Sequence, residues 1–287
     1  MKNHFFISML AAAALLGGLT ACNGKLDKAP RADQVPENAV RITASIGNPF
    51  AATRSMPLGT EEEQGKFNVG DEIFVSTPGS QRATYRFDGT VWVPKEGKYL
   101  LWKEDMERFN AYYPAESGEN PFSYVHPTDQ SSTEKIAKAD LMSVGLDQAK
   151  TKEALHFTMR RWTTRLIVEI AGFKSEFPGD AKVENVRFHN KSNASAPQRT
   201  YIPYAKGEGK TGSTYTVLVR GDAAYNTISL EVGGKTMTAK LSEITYDSGL
   251  SYTYRLTVGK EKLETTEVTV SDWTGSAIIP GGEAKAN

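Results

Sequence analysis

The chain has 287 residues, with Lys+Arg and Asp+Glu both at 34, so its formal net charge is zero. That length suits one large or two ordinary domains, and the neutral balance argues against a nucleic-acid partner, which needs a basic face. One cysteine excludes structural disulfides within the chain, and 10% aromatics with 25 Gly and 12 Tyr suit short strands and tight turns.

Residues 1–21 read as a targeting segment. Lys2 and His4 make a polar start, and residues 7–16 are apolar except for Ser8. The run is too short, and too close to the start, for a mature spanning helix. Leu19-Thr20-Ala21-Cys22 follows and looks like a bacterial lipobox, with the only Cys of the chain at its modified position. Cys22 is therefore the expected lipidation site, with palmitate among the expected acyl chains; two or more such chains make a stable anchor. Residues 22–38 are polar, with Lys25, Asp27, Lys28, Pro30, Arg31, Asp33 and Pro36, and read as a flexible tether.

Val40, Ile42, Ala44 and Ile46 then alternate with Arg41, Thr43 and Ser45. Strict period-2 alternation is the pattern of a half-buried strand. Gly47, Asn48 and Pro49 end it, and a loop carries Arg54-Ser55. A cut after Arg54 would release the strand together with its leader, so the strand is a candidate removable plug. Burying three such β-branched residues and an Ala contributes about 5–9 kcal/mol, against about 5–15 kcal/mol for a whole domain. A domain so cut would expose an apolar groove and unpaired edges, and another strand could fill it. The plain alternative is a first strand that stays where it folds, with Arg54 merely solvated.

Further strands are expected at residues 72–75, 84–87, 91–93, 99–102 and 109–113, with Asp88-Gly89 as a hairpin signal. Residues 115–139, polar with Pro121 and Pro127, read as a long loop, and 140–144 as the last element of a first domain. The polar stretch 150–153 marks a boundary, giving domains at 39–152 and 153–287. Strands follow at 155–159, 165–170, 183–188, 214–219, 228–232, 237–241, 252–258 and 268–270, with no long amphipathic helix. The expected fold is all-β, two sandwich-like domains in series.

Nothing in the sequence assembles a catalytic or metal site. Residues 207–212 match G-x-G-x-x-G, but a strand rather than a helix follows, so a hairpin loop is the better reading. His126, His156 and His189 have no ligand spacing, and His156 is expected to face outward between Leu155 and Phe157. Asp71/Glu72 and Glu104/Asp105 are adjacent pairs that point to opposite faces of a strand. Tyr85, Trp92, Tyr99, Trp102, Tyr112 and Tyr113 either fill a core or stack on sugars.

The lipobox at Cys22, the alternating strand behind it and Arg54 in the next loop together resemble the fimbrillins, lipoprotein-derived subunits of type V fimbriae. Residues 67–75 with a Val-Gly-Asp turn, Phe109 to Pro114, Asp140-Leu141-Met142, 155–170, and 252–258 before 268–273 match the same family's habit. The resemblance implies two transthyretin-like β-sandwich domains and no enzymatic activity or cofactor. It implies export as a lipoprotein of the cell outer membrane, then cleavage by an Arg-specific protease at Arg54-Ser55. Val40, Ile42, Ala44 and Ile46 would be the displaced plug. A strand from another subunit, of the same or a different chain, would fill the groove on a surface fimbrium, and an adhesive member would add a host or glycan ligand. Residues 277–279, or Val268 and Val270 if their strand detaches, are the apolar candidates for a donor. The rival expectation is a surface lipoprotein that binds glycans through Trp92 and Trp102 without polymerising.

Overall fold

Alternating stretches make the strands, and the faces they bury define two cores. The computed structural model describes residues 35–47, 66–120, 123–190, 198–220, 225–241, 246–259, 263–272 and 277–280. The first lobe contains β1 (Ile42–Ile46), β2 (Glu72–Ser76), β3 (Arg82–Phe87), β4 (Trp92–Pro94), β5 (Met106–Tyr113), β6 (Met142–Ala149) and β7 (Leu155–Arg161). They form one seven-stranded sheet in the order β1-β7-β6-β5-β2-β3-β4.

That sheet turns over on itself. β5 and β6 pair along their whole length, from Met106↔Ala149 to Tyr113↔Met142. β6 and β7 share only Met142↔Arg161 and Ser143↔Arg160 before they part. Beyond this corner, Leu155, Phe157 and Met159 of β7 and Ile42 of β1 pack into the same core as Ile73, Tyr85 and Phe109. The first lobe is thus a sandwich made from a single sheet folded over its core.

The second lobe contains β8 (Thr163–Phe173), β9 (Val183–Asn190), β10 (Thr200–Tyr201), β11 (Tyr204–Lys206), β12 (Thr214–Arg220), β13 (Tyr225–Val232), β14 (Lys235–Lys240), β15 (Leu250–Val258), β16 (Leu263–Asp272) and β17 (Ala277–Pro280). A four-stranded sheet, β10-β9-β13-β14, faces a six-stranded one, β11-β12-β8-β15-β16-β17. Val186, Phe188, Ile228 and Leu230 from the first meet Leu166, Val168, Val217 and Tyr254 from the second in one core. This is the expected sandwich. A bulge at Asn185, at φ 50°, moves β9 by one residue, so that Val183 and Val186 both reach the core.

β7 belongs to the first lobe, and one residue later β8 enters the second. The expected boundary at 152/153 therefore falls too early: the core changes at Trp162, because β7 pairs with β1 and β6. The stretch 115–139 is also more than a loop. It holds α1 (Thr133–Ala137), whose first turn is capped by Ser132 Oγ accepting from Lys135 N. Ile136 and Ala139 pack with Leu218 and Tyr204, joining the lobes. At the same seam Asp140 accepts from Arg161 Nε (2.9 Å) and Thr163 Oγ1 (2.9 Å), so its nearly buried charge is paired.

Candidate functional site

β1 is an edge strand, and its backbone is divided between two partners. Its strand half runs parallel to β7, in register from Ile42↔Leu155 to Ile46↔Met159. Leu155 N donates to Arg41 O (2.9 Å) and Gly47 N to Met159 O (2.8 Å). The preceding residues turn to a different neighbour, the segment 100–102. Val40 N donates to Leu100 O (2.8 Å), and Trp102 N to Asn38 O (2.9 Å). Backbone hydrogen bonds thus run from Asn38 to Gly47 across both halves.

The side chains follow the alternation. Val40 and Ile42 are 0% and 3% exposed and belong to the core, while Ala44 and Ile46 are half-buried against it. Burying Val40 and Ile42 contributes roughly 1.5–3 kcal/mol each. Thr43 and Ser45 point the other way and bracket the His156 ring, with Thr43 Oγ1 3.0 Å from Nδ1 and Ser45 Oγ 2.9 Å from Nε2. His156 is exposed, as its place between Leu155 and Phe157 predicts. Gly47 closes the strand tightly: a Cβ there would lie 2.5 Å from Thr158 Cγ2.

One contact has no signature in the sequence. The Tyr85 hydroxyl, from β3, donates to Val40 O (2.9 Å) and accepts from Leu100 N (3.2 Å). Burial pushes its pKa well above the ordinary phenol range, so it is a neutral donor at any physiological pH.

The sheet edges differ in charge. β14 is an edge strand whose ends are the exposed Lys235 and Lys240, a charge pattern that discourages strand addition. β1 (ITASI) and β17 (AIIP) are edge strands with no charged residue, as are the shorter β4 (WVP) and β10 (TY).

The remaining expected residues separate. Cys22, Arg54 and Ser55 lie outside the described residues. Trp92 and Trp102, the proposed sugar platform, are 7% and 4% exposed. They pack edge-on against Phe67 (5.0 Å) and Phe109 (5.2 Å) inside the first core, so these two rings offer no exposed platform for a glycan. The size of these rings, and the apolar partners on neighbouring strands, draws them inward. His126 is buried and within 2.9 Å of Ala139 O, far from the other two histidines in role and setting. Residues 207–212 form the loop between β11 and β12, as expected, with Gly209 O accepting from Val183 N (2.8 Å).

A family model described as fimbrillin-like matches residues 59–273. No curated protein sequence matches the chain. Among solved structures, the fold is similar to three proteins described as candidate cell adhesion proteins. One, from Bacteroides uniformis, is 17% identical, with 83% of this chain and 100% of that one covered and a TM-score of 0.56. One from Bacteroides ovatus is 12% identical, with 86% and 97% covered and a TM-score of 0.52. One from Bacteroides fragilis is 14% identical, with 85% and 99% covered and a TM-score of 0.50.

Proposed function

The chain belongs to the fimbrillin-like family, and from that premise we propose that it is a non-enzymatic structural or adhesive subunit of a cell-surface fimbrium, assembled by exchange of its first strand. The observation that carries this reading is the position of β1. It is an uncharged edge strand, close to the start of the mature chain, yet it fills the first core with Val40 and Ile42. An edge strand can leave without breaking a continuous ladder: β1 itself pairs with β7, and the departing segment gives up a short further bridge to residues 100–102.

In this reading the precursor is exported as a lipoprotein acylated on Cys22 and held at the outer membrane. An Arg-specific protease then cuts Arg54-Ser55. Release of residues 22–54 leaves β7 and residues 100–102 with open backbone edges over an apolar groove. A strand from another subunit, in a homo- or hetero-polymer, occupies it. β17 is the favoured source within this chain, as an uncharged edge strand paired only with β16. A member that stayed uncut would instead remain lipid-anchored at the base.

Treatment of the purified mature protein with an Arg-specific protease tests the proposal. N-terminal sequencing should find a new end at Ser55, and light scattering should find oligomers after the cut. A clipped product that keeps its leader fragment and stays monomeric would count against assembly by exchange.

A further inference from the structure

The Val40–Leu100 pair is an antiparallel rung with a side chain inserted in it. Val40 N donates directly to Leu100 O (2.8 Å). The return bond runs through a phenol: Leu100 N donates to the Tyr85 hydroxyl (3.2 Å), and that hydroxyl donates to Val40 O (2.9 Å). Tyr85 is 0% exposed and otherwise surrounded by the first core. A buried hydroxyl that loses its acceptor in such a place is strongly disfavoured.

Resting on the strand-exchange reading, we propose that Tyr85 is the backbone anchor of the groove. Its hydroxyl grips a main-chain carbonyl of whichever strand occupies the site. It therefore demands an occupant long enough to reach Leu100 as well as β7. The contact reads no side chain, so it serves the resident β1 and an incoming strand alike. The requirement is one of reach. Hydrogen bonds to the resident strand extend from residue 38 to residue 47. A segment covering only the β7 half, opposite residues 155–159, leaves the Tyr85 hydroxyl without its acceptor and Leu100 O without its donor. β17, with the four residues Ala277–Pro280, fills both halves only if adjoining residues extend it. The partner class is thus an extended segment of this or another subunit, apolar at the positions of Val40 and Ile42, with a free carbonyl at the Val40 position.

The test uses the full mature chain clipped at Arg54, and fluorescent peptides whose capture is followed by anisotropy. A peptide of residues 36–47 should be captured by the wild-type chain, and about three- to ten-fold more weakly by Tyr85→Phe, the range of one net hydrogen bond. Replacing the Val40–Arg41 amide of the peptide by an ester weakens the carbonyl as an acceptor. The ester should cost affinity for wild type and much less for Tyr85→Phe, while a peptide of residues 42–47 should not distinguish the two proteins. An ester peptide captured by the wild-type chain as tightly as the amide overturns the anchor, whatever the folding of Tyr85→Phe. So does an equal loss on both proteins. Capture of no peptide by the clipped wild-type chain overturns strand exchange itself, and the anchor with it.

Discussion

The side-chain amide of Gln130 pairs with both backbone groups of Leu218: Leu218 N donates to Oε1 and Nε2 donates to Leu218 O, each at 2.7 Å. A residue of the first lobe's long connection thereby completes the ladder of β12 in the second, beyond the point where β11 pairs with it. Gln130 N also donates to Ile202 O (2.9 Å), so the connection is bound to the second lobe at two places.

Removing that amide should therefore strand two buried backbone groups at once. Gln130→Ala is expected to lower the unfolding free energy by about 1–3 kcal/mol, the usual cost of unsatisfied buried groups. Denaturant titration measures it. A change within about 0.5 kcal/mol of zero, the size of an ordinary surface substitution, would show that water replaces the amide at no cost.

Two neighbouring carboxyls should give opposite pH dependence. Burial raises the pKa of Asp71, against hydrogen bonds from Asn68 N and the Tyr113 hydroxyl. Its folded value lies above its unfolded one, so its contribution is present below about pH 3.9 and is lost as pH rises through the folded value. For Glu72, burial works upward, but hydrogen bonds from Arg86 (2.6 Å) and Lys95 (3.0 Å), with their charges, outweigh it and leave the pKa lowered. Its contribution is present above about pH 4.3 and is lost as pH falls through the folded value. As pH rises from about 3 to 7 across this window, Asp71→Asn should gain melting temperature relative to wild type, and Glu72→Gln should lose it. Slopes of the same sign would refute the assignment.

The two sides of the β1–β7 pair should respond differently to truncation. Ile42→Ala and Phe157→Ala both open the first core and should cost about 2–5 kcal/mol in the intact chain. After the cut at Arg54, only Ile42→Ala should speed release of the leader fragment without destabilising the lobe left behind. Phe157 stays in that lobe, so its truncation should lower the melting temperature of both forms. Equal fragment release from Ile42→Ala and wild type would mean that β1 is not held by its side chains.

Gly209 should tolerate no side chain. It sits at φ +81°, and an added Cβ would collide with Val183 O, while Gly209 O holds Val183 N (2.8 Å) at the start of β9. Gly209→Ala is expected to cost more than about 1 kcal/mol. Gly212, also at positive φ but with open space around it, should cost less on the same change. Equal losses at the two positions would remove the role of the close approach.

Much of the architecture was legible in local pattern. Period-2 alternation at Val40-Ile42-Ala44-Ile46, Leu155-Phe157-Met159 and Tyr252-Tyr254-Leu256-Val258 names which side chains go inward, because a pleated strand offers only two faces. Gly233-Gly234 between two such runs marks the β13–β14 hairpin for the same local reason. The alternation misses β9 at its bulge, where one extra residue resets the period. It also passes over α1, too short at five residues for a helical stripe, though Ser132 before it is a cap signal.

The sequence by itself determined an all-β chain and an apolar face on its first strand. Both are properties of neighbouring residues. Only the tertiary structure decided that this strand lies at a sheet edge, that β7 closes the first lobe rather than opening the second, and that Tyr85 is inserted between Val40 and Leu100. Those facts depend on which strands meet, across separations such as 113 residues between Thr43 and His156. Periodicity tells a strand which face to bury and says nothing of its partner.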